Sequence, residues 1–200
     1  MKKYFLQLLL IMLIVIVAEI PAGMADMEIN EDFEAERFTL SHAMGILYWL
    51  MLLPVFQYGA HYINLKAARN QDFEVKEMFI GFNKYLNIVL ANLLMMALVG
   101  IGLIVFIIPG IIVLCRLAFV PYLVMDQDLG PVPAVETSWK MTRGYGWTVF
   151  GMALLALPII FAGFLLVFVG VIFAAMWIFC SFASFYYAVS QEQPELEQAN

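Results

Sequence analysis

The chain has 200 residues, 64% of them hydrophobic and 13% charged, with a formal net charge of −6 and a mean hydropathy of +0.90. Soluble domains carry roughly 25% charged residues, so this chain has too little charge to cover a water-facing surface, and it shows no basic stripe of the kind that binds nucleic acid. No Asp, Glu, Lys or Arg occurs in 38–65, 85–115 or 144–191; each run matches one crossing of roughly 30 Å of hydrocarbon, the last two crossings, and nothing alternates in the manner of a transmembrane barrel.

The opening stretch "MKKYFLQLLLIMLIVIVAEI" puts two lysines before a long apolar run, which predicts a first span over 4–20 stopped by Pro21. Gly23-Met24-Ala25 offers a weak secretory cleavage site. The run is longer than a signal core and further spans follow, so a retained helix is expected. Residues 21–38 hold Asp26, Glu28, Glu31, Asp32, Glu34 and Glu36 against a single Arg37 and read as an exposed acidic loop. A second span over 41–61, capped by Thr39 or Ser41, contains Pro54, whose ring removes one helical hydrogen bond and predicts a kink. Beyond it, "DFEVKEMFIGF" places Val75, Met78, Phe79 and Phe82 at helical spacing behind a possible cap at Asp72, the pattern of a short amphipathic helix lying on the membrane surface.

From Leu86 to Met125 the one charge is Arg116, and the stretch is about twice the length of a crossing. Pro109-Gly110 supplies a bend, predicting a hairpin of spans over 86–108 and 111–125. In "DQDLGPVPAVETSWKMTRGYGW", Pro133 suits a first helical turn and Gly144 an end. Val135 and Trp139 share one face there, and Glu136 and Lys140 stand four apart, which gives a second surface helix. The run from Gly144 to Gln191 would be about 72 Å long as one helix, hence two spans over 147–163 and 168–189 that bend between Gly163 and Gly170. An acidic tail, 191–200, follows. The fold class is an all-α polytopic membrane bundle with six transmembrane helices and two amphipathic interfacial helices.

With the N-terminus inside, Lys2, Lys3, Lys66, Arg69, Lys76, Lys84, Lys140 and Arg143 fall on the inner side and Arg37 alone outside, a strong positive-inside bias. Both termini are then cytoplasmic, in a plasma or inner membrane, with the basic residues of the two surface helices near anionic headgroups. Residues 72–125 and 133–190 each read as a surface helix followed by a hairpin, a degenerate parallel repeat or merely stacked hairpins.

The combination "FIGFNKY…IIPGIIVLCRLAFVPYLVMDQDLGPVPAVETSWKMTRGYGWTVFG" resembles a bacterial and archaeal integral membrane domain family of unknown function. That family is related to the membrane domain fused to some glycerophosphodiester phosphodiesterases. The features that carry the resemblance are Ile108-Pro109-Gly110, Arg116, Pro121, Asp126, Asp128, Gly130-Pro131 and Ser138-Trp139-Lys140 leading to Thr142, Arg143 and Gly144, within roughly 57–190. The resemblance implies fold and topology. It brings over no catalytic residue, because the phosphodiesterase chemistry belongs to a separate barrel domain.

The residues themselves carry no H-E-x-x-H, G-x-S-x-G or glycine-rich phosphate loop. His42 and His61 sit about 28 Å apart along one helix, too far to share a metal. Cys115 and Cys180 lack metal or disulfide spacing and read as apolar fillers. No enzyme activity, metal or cofactor is expected. Asn83 and Asn87 share a helix face and suggest either helix–helix hydrogen bonds or a polar path. Trp49, Trp139, Tyr145 and Trp147 suggest interface anchors or core packing. Arg116 in a span must snorkel or pair, and Glu19 near the outer end of the first span is the candidate partner, a clamp between the first and fourth spans. Two functions follow. The leading one is a non-catalytic scaffold or accessory subunit that meets membrane lipids and a protein partner through the acidic loop 21–38 or the surface helices. The alternative is a small-molecule or lipid transporter, or a lipid-handling protein, with a cavity among the third to sixth spans. A closed bundle favours the first; a polar cavity reaching Asn87 or Arg116 favours the second.

Overall fold

The computed structural model describes residues 4–26, 40–165 and 169–192, which are helical with no strand among them. Helices α1 (Phe5–Asp26), α2 (Leu40–Met51) and α3 (Leu53–Ala68) precede a 3-10 helix over Val75–Lys84; α4 (Tyr85–Val105), α5 (Ile107–Arg116), α6 (Val120–Asp126), α7 (Pro131–Met141), α8 (Gly146–Leu165) and α9 (Val169–Glu192) follow. Among the described residues, four stretches are long and apolar enough to cross a membrane, Val75–Ile104, Ile107–Asp126, Gly146–Phe164 and Gly170–Glu192; Phe5–Ile20 is a shorter apolar helix. Helices of this kind satisfy their backbone groups internally, as hydrocarbon requires. Most of the expected acidic loop and nearly all of the tail, residues 27–39 and 193–200, lie outside the described residues.

The joints between helices differ from those the sequence suggests. Helix α1 runs through Pro21 to Asp26 instead of stopping; a proline deletes only one backbone donor, and an apolar helix tolerates that loss. The second expected span is two helices that meet at Leu52, with Pro54 in the first turn of α3. Helix α3 then continues to Ala68, seven residues past the expected end, and stops at Asn70, which adopts φ 55. Asparagine tolerates this left-handed conformation and so ends helices in the manner of glycine.

The turn between α4 and α5 is at Phe106, which is extended (φ −162, ψ 151), not at Pro109-Gly110. Pro109 falls in the first turn of α5, where its missing N–H would have had no helical partner anyway. Gly110 serves the hairpin differently: a Cβ there would lie 2.5 Å from Leu103 Cδ2, and one on Gly102 would lie 2.9 Å from the Gly110 Cα. The two glycines let α4 and α5 touch backbone to backbone. At the other hairpin a Cβ on Gly163 would meet the Gly170 carbonyl oxygen at 2.8 Å, so α8 and α9 close up in the same way.

The first surface helix is 3-10 and flows directly into α4. Its threefold repeat divides the expected apolar row: Met78 and Gly81 are buried, while Phe79 and Phe82 stack on each other and meet Phe56 edge-on, as side chains three apart do in a 3-10 helix. Helix α3 is central, packing against α1, α6, α9 and the 3-10 helix, and α8 is peripheral, packing chiefly against α9. One polar belt ties the ends of these helices. Arg69 grips Asp126 through two bonds of 2.5 and 2.6 Å, Lys84 pairs with Asp128 at 2.9 Å, Lys66 with Glu77 at 2.5 Å, and Tyr4 donates to Asp72 at 2.6 Å. Tyr145 donates to Glu192, and that bond holds the exposed phenol above its ordinary pKa.

Candidate functional site

The residues of the family-like motif meet where α5 gives way to α6. Pro121 has no N–H to offer Leu117, and here the helix does break, between Leu117 and Phe119. The Leu117 carbonyl takes the Val120 N–H instead, at 3.1 Å. In an unbroken α-helix that N–H would have gone to Arg116, so the Arg116 carbonyl loses its partner. A hydroxyl from α7 replaces it: Ser138 Oγ donates at 2.7 Å, while Thr142 Oγ1, in the turn after α7, stands 3.2 Å away and has the Ser138 carbonyl nearer, at 2.7 Å, for its one proton. Ser138 Oγ also accepts the Phe119 N–H at 3.3 Å. Both hydroxyl residues are fully buried, where an unpaired carbonyl would cost about 1–3 kcal/mol.

This joint sets the orientation of α7. The face it buries is Ala134, Thr137, Ser138 and Met141, not the expected row of Val135 and Trp139. Small residues at 134 and 138 let the helix approach closely, and Ser138 has acceptor and donor waiting. Trp139 is left 44% exposed, with the Arg116 guanidinium over its ring at 5.7 Å. The expected pair with Glu19 does not form: Glu19 is exposed, and no ion pair joins it to Arg116 among the described residues. The turn at Phe106 puts Arg116 ten residues along α5, about 15 Å away, rather than close beneath the outer bend. Its Nη1 is buried without a hydrogen-bond partner.

On another side of the same break lies a partly open crevice of about 560 Å³. Its walls are Met95, Met96, Val99, Gly100 and Leu103 of α4, Leu114 of α5, Leu117, Ala118, Pro121 and Tyr122 around the break, and Ile178, Phe179 and Phe182 of α9. His61 of α3 is the one imidazole in this apolar lining. Its Nδ1 lies 3.2 Å from the Tyr122 hydroxyl, and its ring meets Tyr122 edge-on and Phe179 at 4.8 Å. The crevice falls within the usual 300–1,000 Å³ of small-molecule sites, which are likewise mostly apolar with a few polar groups.

Neither Asn87 nor Arg116 lines the crevice. Asn83 is exposed and Asn87 part-buried, and neither side chain bonds another helix among the described residues. The buried amide is instead Asn64 of α3, which donates to Ala60 O at 2.8 Å and accepts from the Cys180 thiol at 3.2 Å. Only two amides, Gln57 and Asn64, occur inside the charge-free run 38–65, and that was the available signal for it. Lys140 and Arg143 are exposed, and Gly144 takes φ +97, the conformation only glycine adopts freely, in the turn after α7. Among the described residues no three His, Cys, Asp or Glu converge as a metal site.

Residues 96–193 match the model of a family described as a protein of unknown function (DUF975). The match spans the α5–α6 break, its Ser138 cap and most of the crevice. It agrees with the resemblance to an uncharacterised family; the relation to phosphodiesterase-fused domains rests on the resembling residues alone. No curated protein and no solved structure matches the chain.

Proposed function

We propose that the chain is a non-catalytic, multi-pass membrane protein that handles lipid, holding an apolar chain in the crevice between α3, α4, α5 and α9. The observation that carries this reading is the crevice itself: about 560 Å³, apolar but for the His61–Tyr122 pair, and open on one side. The nearby polar side chains are committed to joints, Ser138 to the Arg116 carbonyl, Thr142 to the Ser138 carbonyl and Asp126 to Arg69, which supports binding rather than catalysis. The arrangement also accommodates six crossings: α1, the kinked α2–α3, α4, α5–α6, α8 and α9. Both termini, the 3-10 helix and α7 then share the basic, cytoplasmic side of an inner membrane. The accessory-subunit reading gains no separate support, because the exposed apolar face of α8 suits bilayer lipid as well as a protein partner.

Gly100 provides the test. It lines the crevice, and a Cβ added there meets nothing within 4 Å, so Gly100→Phe starts a bulky side chain at the crevice wall from an unobstructed Cβ. The full chain in vesicles is labelled with a diazirine-bearing palmitate. Labelling is expected to concentrate on 95–103, 114–122 and 178–182 and to fall by more than half in Gly100→Phe. Uniform labelling that includes α8, unchanged by the substitution, would refute the proposal.

A further inference from the structure

The described cations divide into two groups. Lys66, Arg69, Lys76 and Lys84 each hold a carboxylate, at 2.5, 2.5, 2.5 and 2.9 Å. Arg116, Lys140 and Arg143, the remaining three of the described cations, hold none among the described residues. Arg116 meets the segment that carries the other two. It lies over Trp139, its carbonyl is bonded by Ser138, and Lys140 and Arg143 follow closely in sequence. One acid, Glu136, stands a turn earlier on α7 and pairs with none of them. Two exposed rings stand near them in sequence, Trp139 at 44% and Trp147 at 85%, a residue type enriched at membrane–water boundaries.

The geometry points to a binding site for the phosphate of an anionic phospholipid at the C-terminal end of α7, with Arg116 as its principal ligand and Lys140 and Arg143 as its rim. Arg116 is suited to this because its guanidinium is part-desolvated. Nη1 is buried without an acceptor, and one side of the group faces the Trp139 ring, so an anion on the remaining open edge meets a cation that water screens poorly. A planar fork of N–H donors matches phosphate oxygens, and charge-assisted bonds of this type are the strong ones. The backbone of Arg116 is held from behind, since its carbonyl takes the Ser138 hydroxyl. An arginine of a membrane protein that holds no carboxylate among the described residues is a functional candidate whose partner is to be found in the membrane. This site is separate from the crevice: Arg116 is not among the crevice residues, and either can fail without the other.

The test uses the full chain in neutral detergent, following thermal unfolding as dioleoylphosphatidylglycerol, dioleoylphosphatidylcholine or inorganic phosphate is added. Phosphatidylglycerol is expected to raise the midpoint in a saturable manner, with phosphatidylcholine and inorganic phosphate far weaker. Arg116→Gln should weaken the apparent affinity for phosphatidylglycerol about tenfold or more, the loss of one charge-assisted contact. Arg116→Lys should recover part of it, and Lys76→Gln, whose residue is exposed and already paired, should change nothing. If Arg116→Gln does not fold, Lys140→Gln/Arg143→Gln must lower the response with Arg116 in place. Equal responses in the wild type and these variants would overturn the site, and an equal midpoint shift with inorganic phosphate would overturn its assignment to lipid.

Discussion

Gly59 is the position where the packing of this bundle can be tested most sharply. It lies on α3 against the 3-10 helix, and an ideal Cβ there would stand 2.2 Å from the Met78 carbonyl oxygen, 3.0 Å from Met78 Cγ and 3.1 Å from the Met78 carbonyl carbon. The first of these is backbone and cannot rotate away. Restoring ordinary contact at 3.4 Å requires α3 and the 3-10 helix to part by about 1 Å, and Met78, 1% exposed, lies in the core they share. Overpacking of this kind costs about 1–3 kcal/mol, and the better helix propensity of alanine returns about 1 kcal/mol. Gly151 in α8 is the control, because a Cβ there meets nothing within 4 Å and the substitution should be neutral or stabilising by about 0.5–1 kcal/mol. Gly59→Ala is therefore expected to melt about 4–10 °C below Gly151→Ala, read by tryptophan fluorescence of the full chain in detergent. Hydrogen exchange should quicken in 75–84 and not in 146–165. Equal melting of the two variants, or faster exchange confined to α8, would show that the contact between α3 and the 3-10 helix is not as described.

A cytoplasm-active reporter should give signal after Leu129 and after Asn200, and a periplasm-active one near Asn30; an outer-side signal at Leu129 would reject the crossing assigned to α5–α6. Asp126→Asn should destabilise the fold more than Arg69→Leu/Asp126→Leu, because a part-buried pair that loses one member strands the other's charge; additive effects in the cycle of single and double leucine substitutions would contradict this. Ser138→Ala should cost about 1–3 kcal/mol by leaving the Arg116 carbonyl unpaired. In a Pro121→Ala background the helix can heal and retake that carbonyl, so the same change should cost clearly less there, and an unchanged cost would disprove the link.

The long helices were legible because desolvation decides them. Runs without charge have one stable form in hydrocarbon, and α4, α8 and α9 begin and end within a few residues of where charge and glycine placed them. The joints were less legible, since the same residue acts oppositely on the two sides of a turn. Pro109 reads as a breaker, yet it lies in the first turn of α5 and Phe106 makes the bend. On α7, two rows at helical spacing competed, Val135 with Trp139 and Ala134 with Ser138 and Met141. Size favoured the first, but the choice fell to a hydroxyl that had a freed carbonyl to bond. The partner of Arg116 was illegible for the same reason: Trp139 comes near it only because α7 folds back along the break, which no local pattern encodes.

That break also explains why the motif residues occur together. Pro121 frees the Arg116 carbonyl, and the hydroxyl of Ser138 captures it. Capture fixes α7 against α5, which places Trp139 beneath the guanidinium. The residue after Pro121 is Tyr122, 1% exposed, whose ring stacks on Tyr186 at 5.0 Å and whose hydroxyl meets His61 at the crevice wall. One missing N–H thus positions both the cationic face and the polar corner of the crevice.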